Sequence, residues 1–293
     1  MPAAPAAVRL KLPPFPAVLL AMVSVQGGAA LATGMFPALG PIGAVALRII
    51  FSALMLLAVF RPALGSLTRA QWQAAVPFGM ALGTMNLSFY LAIARIPLGL
   101  AVALEFTGPL LVAVLGSRQA KDFLWVALAG CGIVLLTPWG GSHNVNGAGA
   151  MFALVAGACW AVYIVLGRRV YRLFPGGSGV AVGMLFAALT ILPVVLANGA
   201  LSRLNKALLW QGIAVAILSS ALPYSLEMIG LRAMPARTFG ILMSMEPAVA
   251  AVCGMLFLRE RLSVQQWAAI ALVIAASAGT TLTGEKREVA LDA

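Results

Sequence analysis

Four ionisable side chains interrupt the long apolar stretches of this sequence and are the first candidates for chemistry: Arg48, Glu105, Glu227 and Glu246. If those stretches cross a membrane, each charge near a helix centre costs about 2.5–3.5 kcal/mol on insertion, so each calls for a partner or a function. Arg48 and Glu105 fall at similar depths, which predicts that they meet as a structural or a functional ion pair. Glu246 has no basic residue in obvious reach, so we expect it to be protonated or to face a water-filled cavity. Glu227 lies near the end of its stretch, where it is expected to reach the membrane surface.

Prolines stand close to two of these glutamates. Pro109 has no N–H for the carbonyl of Glu105, four residues earlier, and its ring crowds that oxygen. Pro247 does the same to the carbonyl of Met243. Carbonyl groups freed inside a bilayer must find partners in protein, water or a ligand. A carboxylate at such an opened turn suits an ammonium ligand, and the alternative is a helix kink that serves packing alone.

Further polar and aromatic groups at membrane depth complete the set of candidate ligand contacts. The set is Gln26, Asn86, Tyr90, Glu105, Thr107, Trp160, Tyr163, Tyr224 and Glu246. Trp160 and Tyr163 are three residues apart and therefore share a helix face, although ordinary packing is the alternative for Trp160. Gly79 and Gly83 have the G-x-x-x-G spacing, which predicts close contact with another helix.

Signatures of enzyme catalysis are absent from the sequence. The sole histidine, His143, lies between apolar stretches, so Ser–His–Asp and zinc-protease arrangements are unavailable. There is no P-loop and no cysteine pair at metal-binding spacing, and we expect no cofactor and no metal. An intramembrane enzyme or a helper subunit is therefore disfavoured, and an ATP-driven pump would need a separate motor subunit.

The composition requires a membrane environment for these residues. Of the 293 residues, 62% are apolar and 9% charged, and the mean hydropathy is +1.02. Soluble proteins are about 45–50% apolar and about 25% charged, so soluble fold classes are excluded. The net charge of +11 is spread between apolar stretches and forms no basic face, so no nucleic-acid partner is expected. The lipid bilayer is the expected surrounding, and no obligate protein partner is evident.

Apolar windows long enough to cross a bilayer predict an all-α integral membrane protein with ten transmembrane helices. The windows are 15–36, 42–60, 72–94, 97–116, 122–138, 147–167, 178–197, 211–231, 237–258 and 264–283. The first window is expected to remain as a span, because it is longer than the apolar core of a cleaved signal peptide. Short tails, 1–14 and 284–293, flank the windows.

The two halves of the chain repeat a pattern. Residues 95–109 contain Arg-Ile-Pro followed by a Glu and a Pro, and residues 232–247 contain Arg-Ala-Met-Pro followed by Glu-Pro. This divides the chain into five-helix repeats, 15–138 and 147–283. Because five is odd, the two copies must enter the membrane in opposite directions. Inverted repeats are typical of secondary transporters, whose substrate sites lie near the midplane between the copies.

Five motifs resemble the threonine/homoserine exporter group of the EamA family, within the drug/metabolite transporter superfamily. They are Val25-Gln-Gly-Gly-Ala-Ala-Leu-Ala32, the Leu-Glu-Phe-Thr-Gly-Pro run at 104–109, Gly157-Ala-Cys-Trp-Ala-Val-Tyr163, the Ser-Ser-Ala-Leu-Pro-Tyr-Ser-Leu-Glu run at 219–227, and Ser-Met-Glu-Pro at 244–247. The resemblance extends through all ten windows. It implies a ten-helix inverted-repeat fold, cytoplasmic termini, a central cavity and amino-acid efflux across the bacterial inner membrane. Met184 stands where the second repeat would carry a counterpart of Arg48.

We therefore expect an exporter of threonine-like or homoserine-like amino acids that works by alternating access. Glu246 or Glu105, with the Trp160/Tyr163 face, would bind the ammonium group. Arg48 would meet the carboxylate if it is free; otherwise Asn86, Gln26 and exposed backbone amides would do so. A glutamate would carry a proton. The alternative is an exporter of aromatic amino acids, bulkier metabolites or lipophilic cations, which the 13 methionines permit.

The lysines and arginines predict the orientation. With a cytoplasmic N-terminus, the cytoplasmic segments hold 13 of them and the opposite side holds 5. A reporter that is active only in the periplasm is therefore expected to stay silent when fused after Ala293. The same reporter fused after Ser202, on the opposite side, serves as the positive control. Activity after Ala293 would overturn this topology.

Overall fold

The computed structural model describes residues 13–115, 122–136, 146–175, 177–223 and 242–284, with isolated positions at 226, 227, 229, 234 and 239. Within these residues the chain forms helices and no strands. The α-helices are α1 (Pro14–Thr33), α2 (Phe36–Phe60), α3 (Arg69–Ile93), α4 (Leu98–Glu105), α5 (Thr107–Leu115), α6 (Asp122–Leu136), α7 (Gly147–Leu173), α8 (Ser178–Asn198), α9 (Lys206–Ala216), α10 (Glu246–Phe257) and α11 (Val264–Gly284). A short 3-10 turn (Leu64–Ser66) precedes α3, and a π-helical segment (Ile217–Ala221) continues α9.

The all-helical prediction is confirmed for the described residues, and each predicted window contains at least part of a helix. Among the described residues, five helices are long and apolar enough to cross a membrane, namely α1, α2, α3, α7 and α8. Shorter apolar helical stretches are found at Leu98–Val112, Lys206–Ala221, Glu246–Phe257 and Val264–Gly279. Large apolar side chains such as Leu54, Val165 and Leu196 are exposed on these helices, as expected for surfaces that face lipid rather than water. The chain is a multi-pass membrane protein.

The fourth predicted window holds one apolar helical stretch, Leu98–Val112, with a one-residue turn inside it. The first helix, α4, ends at Glu105 and α5 begins at Thr107, with Phe106 in a turn between them. Pro109 accounts for the break, since it offers no N–H to the Glu105 carbonyl. The Thr107 hydroxyl donates a hydrogen bond of 2.6 Å to the carbonyl of Leu104 and satisfies one backbone group beside the break.

Proline also interrupts the regular helix at three other places. In α2, Gly40 has φ +66°, a left-handed conformation that glycine tolerates, immediately before Pro41. The helix α10 starts at Glu246, inside the predicted window 237–258, with Pro247 in its first turn. The π-helical segment after α9 ends two residues before Pro223. A wider π turn is one way for a helix to relieve crowding by a proline.

Helices of the first half of the chain pack mainly against helices of the second half. The most extensive packing joins α3 to α7, and α3 and α2 both pack on α8. Helix α4 packs on α10, and α1 packs on α10 and α9. The carboxylate of Glu260 fixes the start of α4, since both of its oxygens accept the Leu98 N–H at 3.0 Å. The interior between the halves is therefore lined by side chains from both.

Glycines permit the closest of these contacts, as the G-x-x-x-G spacing predicts. A methyl group on Gly83 of α3 would lie 2.7 Å from the carbonyl oxygen of Ala187 in α8, and one on Gly79 would overlap Phe186. The predicted close contact is confirmed. Gly157 of α7 lies equally close to the break between α4 and α5, where its hydrogen faces the Glu105 carbonyl.

Gly157→Ala is expected to destabilise the folded protein by about 1–3 kcal/mol, because overpacked contacts force a backbone shift. The new methyl group would stand 2.7 Å from the Glu105 carbonyl oxygen. Gly147→Ala is the matched control, since it changes a glycine of the same helix with nothing within 4 Å. Thermal unfolding in detergent measures both variants. Equal melting temperatures for the two would contradict this packing.

Candidate functional site

A cavity of about 200 Å³ lies between helices α1, α2, α3, α7 and α8 and the π-helical segment. Its wall combines one cationic, one anionic and several neutral polar side chains. They are Arg48, Ser52, Asn86, Tyr163, Ser219, Ser220 and Glu227. Apolar groups fill the remainder, including Ile49, Leu82 and Met184. A small concave space with a few converging polar groups is typical of a ligand site.

Arg48 supplies the positive charge of this cavity. Its guanidinium carbon lies 5.6 Å from the centre of the Tyr90 ring, within the range of a cation–π contact. Tyr90 is completely buried, and its hydroxyl meets no hydrogen-bond partner among the described residues. Arg48 therefore lies against the Tyr90 side chain and lines the cavity.

The predicted ion pair between Arg48 and Glu105 does not form. The two residues are close enough to interact electrostatically, but no pair within 4.0 Å joins them in the described part of the chain. Similar depth along two helices places them near each other, as expected, and the guanidinium contacts the Tyr90 ring.

Glu246 has a neutral hydrogen-bond partner, the side-chain amide of Gln26, rather than a basic one. Its Oε1 accepts a hydrogen bond of 3.1 Å from Nε2 of Gln26 in α1, and both side chains are buried. The carboxylate also stands in the first turn of α10, where the helix dipole favours negative charge. The Oε1 of Gln26 has no partner within the described residues, so this amide retains an unused acceptor.

The buried carboxylates influence one another. Glu105 interacts electrostatically with Glu246, and Glu246 interacts with Glu227. Arg48 is the cation that acts on Glu105. Like charges repel strongly where the effective dielectric constant is low, so these buried carboxyl groups favour an added proton or cation.

Glu227 lines the cavity that Arg48 also lines. Its expected neighbours at the membrane surface, Arg232 and Arg237, lie outside the described residues. The structure therefore groups Glu227 with the interior charges, where sequence depth favoured a surface role. Asn86 shares this wall and donates its Nδ2–H to the Leu82 carbonyl at 2.8 Å.

The aromatic candidates separate into two groups. Tyr163 lines the cavity and stacks on Phe78 with ring centres 4.7 Å apart. Trp160 packs edge-on against Phe106 at 5.0 Å, beside the break between α4 and α5, and is not part of this wall. Thr107 uses its hydroxyl proton on a backbone carbonyl, and Tyr224 lies outside the described residues.

Three serines of the cavity wall were not predicted from the sequence as ligand contacts. Ser52 and Ser220 share a hydrogen bond of 2.8 Å between their hydroxyls, and Ser219 lies beside them. One signal was present in the sequence: Ser219 precedes Pro223 by four residues, the same spacing as Glu105 and Pro109.

A second, larger cavity is apolar. It measures about 630 Å³ and lies between α1, the π-helical segment and the C-terminal end of α10. Leu20, Val23 and Leu31 line it and are partly exposed on the outside of α1. This cavity forms a groove along the outside of α1. Among the described residues, no charged side chain lines it.

Comparison with known proteins gives concordant results. The EamA-like transporter family profile matches residues 147–282. Threonine/homoserine exporter RhtA of Escherichia coli strain K12 is 48% identical over 274 residues, which cover 93% of this chain and 92% of that protein. The exporter of the same name from Salmonella typhimurium strain SL1344 is 49% identical over 277 residues, covering 93% and 94% of the two chains.

More distant likenesses extend the same comparison. The uncharacterized transporter YwfM of Bacillus subtilis strain 168 is 28% identical over 200 residues, covering 67% of this chain and 62% of that protein. A solved crystal structure of a protein superposes with a TM-score of 0.61 at 20% identity. The superposition covers 92% of this chain and 98% of the other, and at this identity the likeness concerns the fold alone.

Proposed function

The chain belongs to the EamA-like transporter family and is not an enzyme, and we propose that it is a secondary-active exporter of small amino acids. Relatives that match almost its full length bear the name threonine/homoserine exporter, so threonine and homoserine are the first candidate substrates. Export would run outward across the bacterial inner membrane, and the substrate is a small molecule held within the bilayer-embedded part of the chain.

The observation that carries this proposal is the cavity with a guanidinium and a carboxylate in one small space. An amino acid is a zwitterion, so its carboxylate would pair with Arg48 and its ammonium group with Glu227, supported by Glu246 and Glu105. The volume of about 200 Å³ is below the 300–1,000 Å³ of typical drug-sized pockets and suits a compact ligand. Asn86, Tyr163 and Gln26 would contribute neutral polar contacts.

In this proposal, the other side chains predicted as ligand contacts support the cavity from outside its wall. Tyr90 would hold Arg48 in place, and Trp160 would support the break at Phe106. Thr107 would stabilise the same break, and Tyr224 keeps its proposed place near the ligand from its position in the sequence alone.

Alternating access would follow from two inverted five-helix repeats, 15–138 and 147–283, in a ten-helix arrangement with both tails in the cytoplasm. Support comes from the matched interruptions: α4 ends at Glu105, and α10 begins at Glu246, each beside a proline-opened turn. The packing of first-half helices on second-half helices also suits rocking of one repeat against the other.

An exporter of bulkier or lipophilic compounds is the second candidate. The apolar cavity of about 630 Å³ favours it, because such a groove could receive a ligand from the lipid phase. It has no charged group in its wall, so it would not bind an amino-acid zwitterion.

Proteoliposomes containing the purified protein test the first candidate with a panel of labelled amino acids. Threonine and homoserine are expected to be transported, and Arg48→Gln or Glu227→Gln should each lower transport by about ten- to a hundredfold, the effect of losing a charged hydrogen bond. Arg172→Gln is the matched control, since Arg172 is exposed and donates to the Arg168 carbonyl of its own helix, α7.

The ends of the substrate can be tested separately. Arg48→Gln should reduce recognition of the carboxylate, so its discrimination between an amino acid and the corresponding amine should fall. Transport of lipophilic dyes but not amino acids would favour the second candidate, and unchanged amino-acid transport in both charge variants would contradict the proposed zwitterion site.

Proton coupling is proposed to depend on Glu246. A proton and the substrate ammonium are alternative positive partners for this buried carboxylate, so their competition would exchange one for the other. Glu246→Gln preserves shape and the contact with Gln26, and it should insert normally but lose efflux driven by a pH gradient. Transport is measured with and without the gradient, and Glu227→Gln should retain more of the gradient response. Wild-type rate and pH dependence in Glu246→Gln would rule out this mechanism.

A further inference from the structure

The π-helical segment Ile217–Ala221 turns two consecutive serines toward the cavity. Its widened turn closes with a hydrogen bond from the Leu222 N–H to the Ile217 carbonyl, five residues earlier. The Ser24 hydroxyl of α1 donates to the Leu218 carbonyl at 2.7 Å and so holds the segment against α1. Single π turns within α-helices frequently occur at functional sites.

The hydroxyl of Ser219 is unused in this arrangement. The residue is about nine-tenths buried and lines the cavity, and its Oγ meets no hydrogen-bond partner among the described residues. A buried hydroxyl without a partner costs about 1–3 kcal/mol, so its retention calls for an explanation. Its neighbour differs, since the Ser220 hydroxyl is already engaged with Ser52 at 2.8 Å.

Gly28 of α1 makes room for this hydroxyl. A methyl group at Gly28 would overlap the Oγ of Ser219 and also approach the Leu218 side chain to 3.2 Å. At the preceding position, Gly27, a methyl group would meet nothing within 4 Å. The space beside the Ser219 hydroxyl therefore depends on one particular glycine.

We propose that Ser219 determines specificity by hydrogen bonding to a hydroxyl group on the side chain of the transported amino acid. This inference rests on the proposed function, in which Arg48 and Glu227 hold the charged ends of the substrate. With both ends held, the substrate side chain faces the remaining wall of the same cavity, which includes Ser219. The Ser219 Oγ lies against Gly28 and has no partner among the described residues, and rotation about the Cα–Cβ bond would turn it toward the substrate. A serine hydroxyl both donates and accepts, so it matches an alcohol in either direction.

The chemistry predicts a simple selectivity. Threonine and homoserine differ in the position of the hydroxyl, but both become 2-aminobutyrate when that hydroxyl is replaced by hydrogen. A site with a buried polar group rejects the analogue that leaves the group unpaired. The wild-type protein is therefore expected to prefer homoserine and threonine to 2-aminobutyrate by about tenfold or more.

The experiment compares homoserine, threonine and 2-aminobutyrate in proteoliposomes containing the wild type, Ser219→Ala or Ser66→Ala. Ser219→Ala should reduce the preference for the hydroxylated substrates about tenfold while transport of 2-aminobutyrate is retained. Ser66→Ala is the matched control because its hydroxyl bonds the Ala63 carbonyl in an exposed turn outside the cavity wall, and it should keep the wild-type preference. A merely structural role for Ser219 would lower all three rates together and leave their ratio unchanged.

A second pair of variants tests the same site without changing the serine. Gly28→Ala should displace the Ser219 hydroxyl and lower the preference, whereas Gly27→Ala should not. This pair decides the matter if Ser219→Ala does not accumulate in the membrane.

The outcomes separate this inference from the proposed function. Wild-type protein that transports none of the three compounds would refute the exporter proposal. Wild-type protein that transports all three equally would leave the exporter proposal standing and overturn the role of Ser219. A preference that survives in both Ser219→Ala and Gly28→Ala would overturn it as well.

Discussion

A chain that crosses hydrocarbon must satisfy its own backbone hydrogen bonds, and proline denies some of them. Pro109, Pro223 and Pro247 each remove the donor for a carbonyl four residues earlier. The helix responds differently at each place: it breaks between α4 and α5, widens into a π turn after α9, and begins anew at α10. These interruptions bring polar groups to the interior between the two halves, where water or a ligand can meet them.

Charge balance then shapes what the interior can bind. Glu246 draws on the amide of Gln26 rather than on a cation, and Arg48 rests on Tyr90 rather than on a carboxylate. Within the described residues neither group forms a direct ion pair, so Arg48 can accept a carboxylate and Glu246 a proton or an ammonium group. A direct pair between Arg48 and Glu105 would have removed the cation from the cavity and left a purely acidic wall.

The charged candidates could be predicted from the sequence because burying a charge is costly. A charged residue in the middle of an apolar stretch is recognisable without any knowledge of its neighbours in the fold. The sequence did not predict the partners of these charged groups. Depth along a helix places Arg48 near Glu105, but it does not show which group the guanidinium touches. Ser219 was not predicted for a related reason: a serine in an apolar span is common, and only the folded structure shows that its hydroxyl has no partner among the described residues.

The two halves meet with unequal chemistry. Met184 of α8 stands where the proposed repeat would place a counterpart of Arg48, and both residues line the same cavity. In the proposed inverted repeats, two such positions would be related by the pseudo-symmetry, yet only one carries a charge. A zwitterion would therefore bind in one orientation, with its carboxylate toward α2. If the proposed repeats open the cavity to each side in turn, this asymmetry would keep the substrate's hydroxyl toward the π turn in both states.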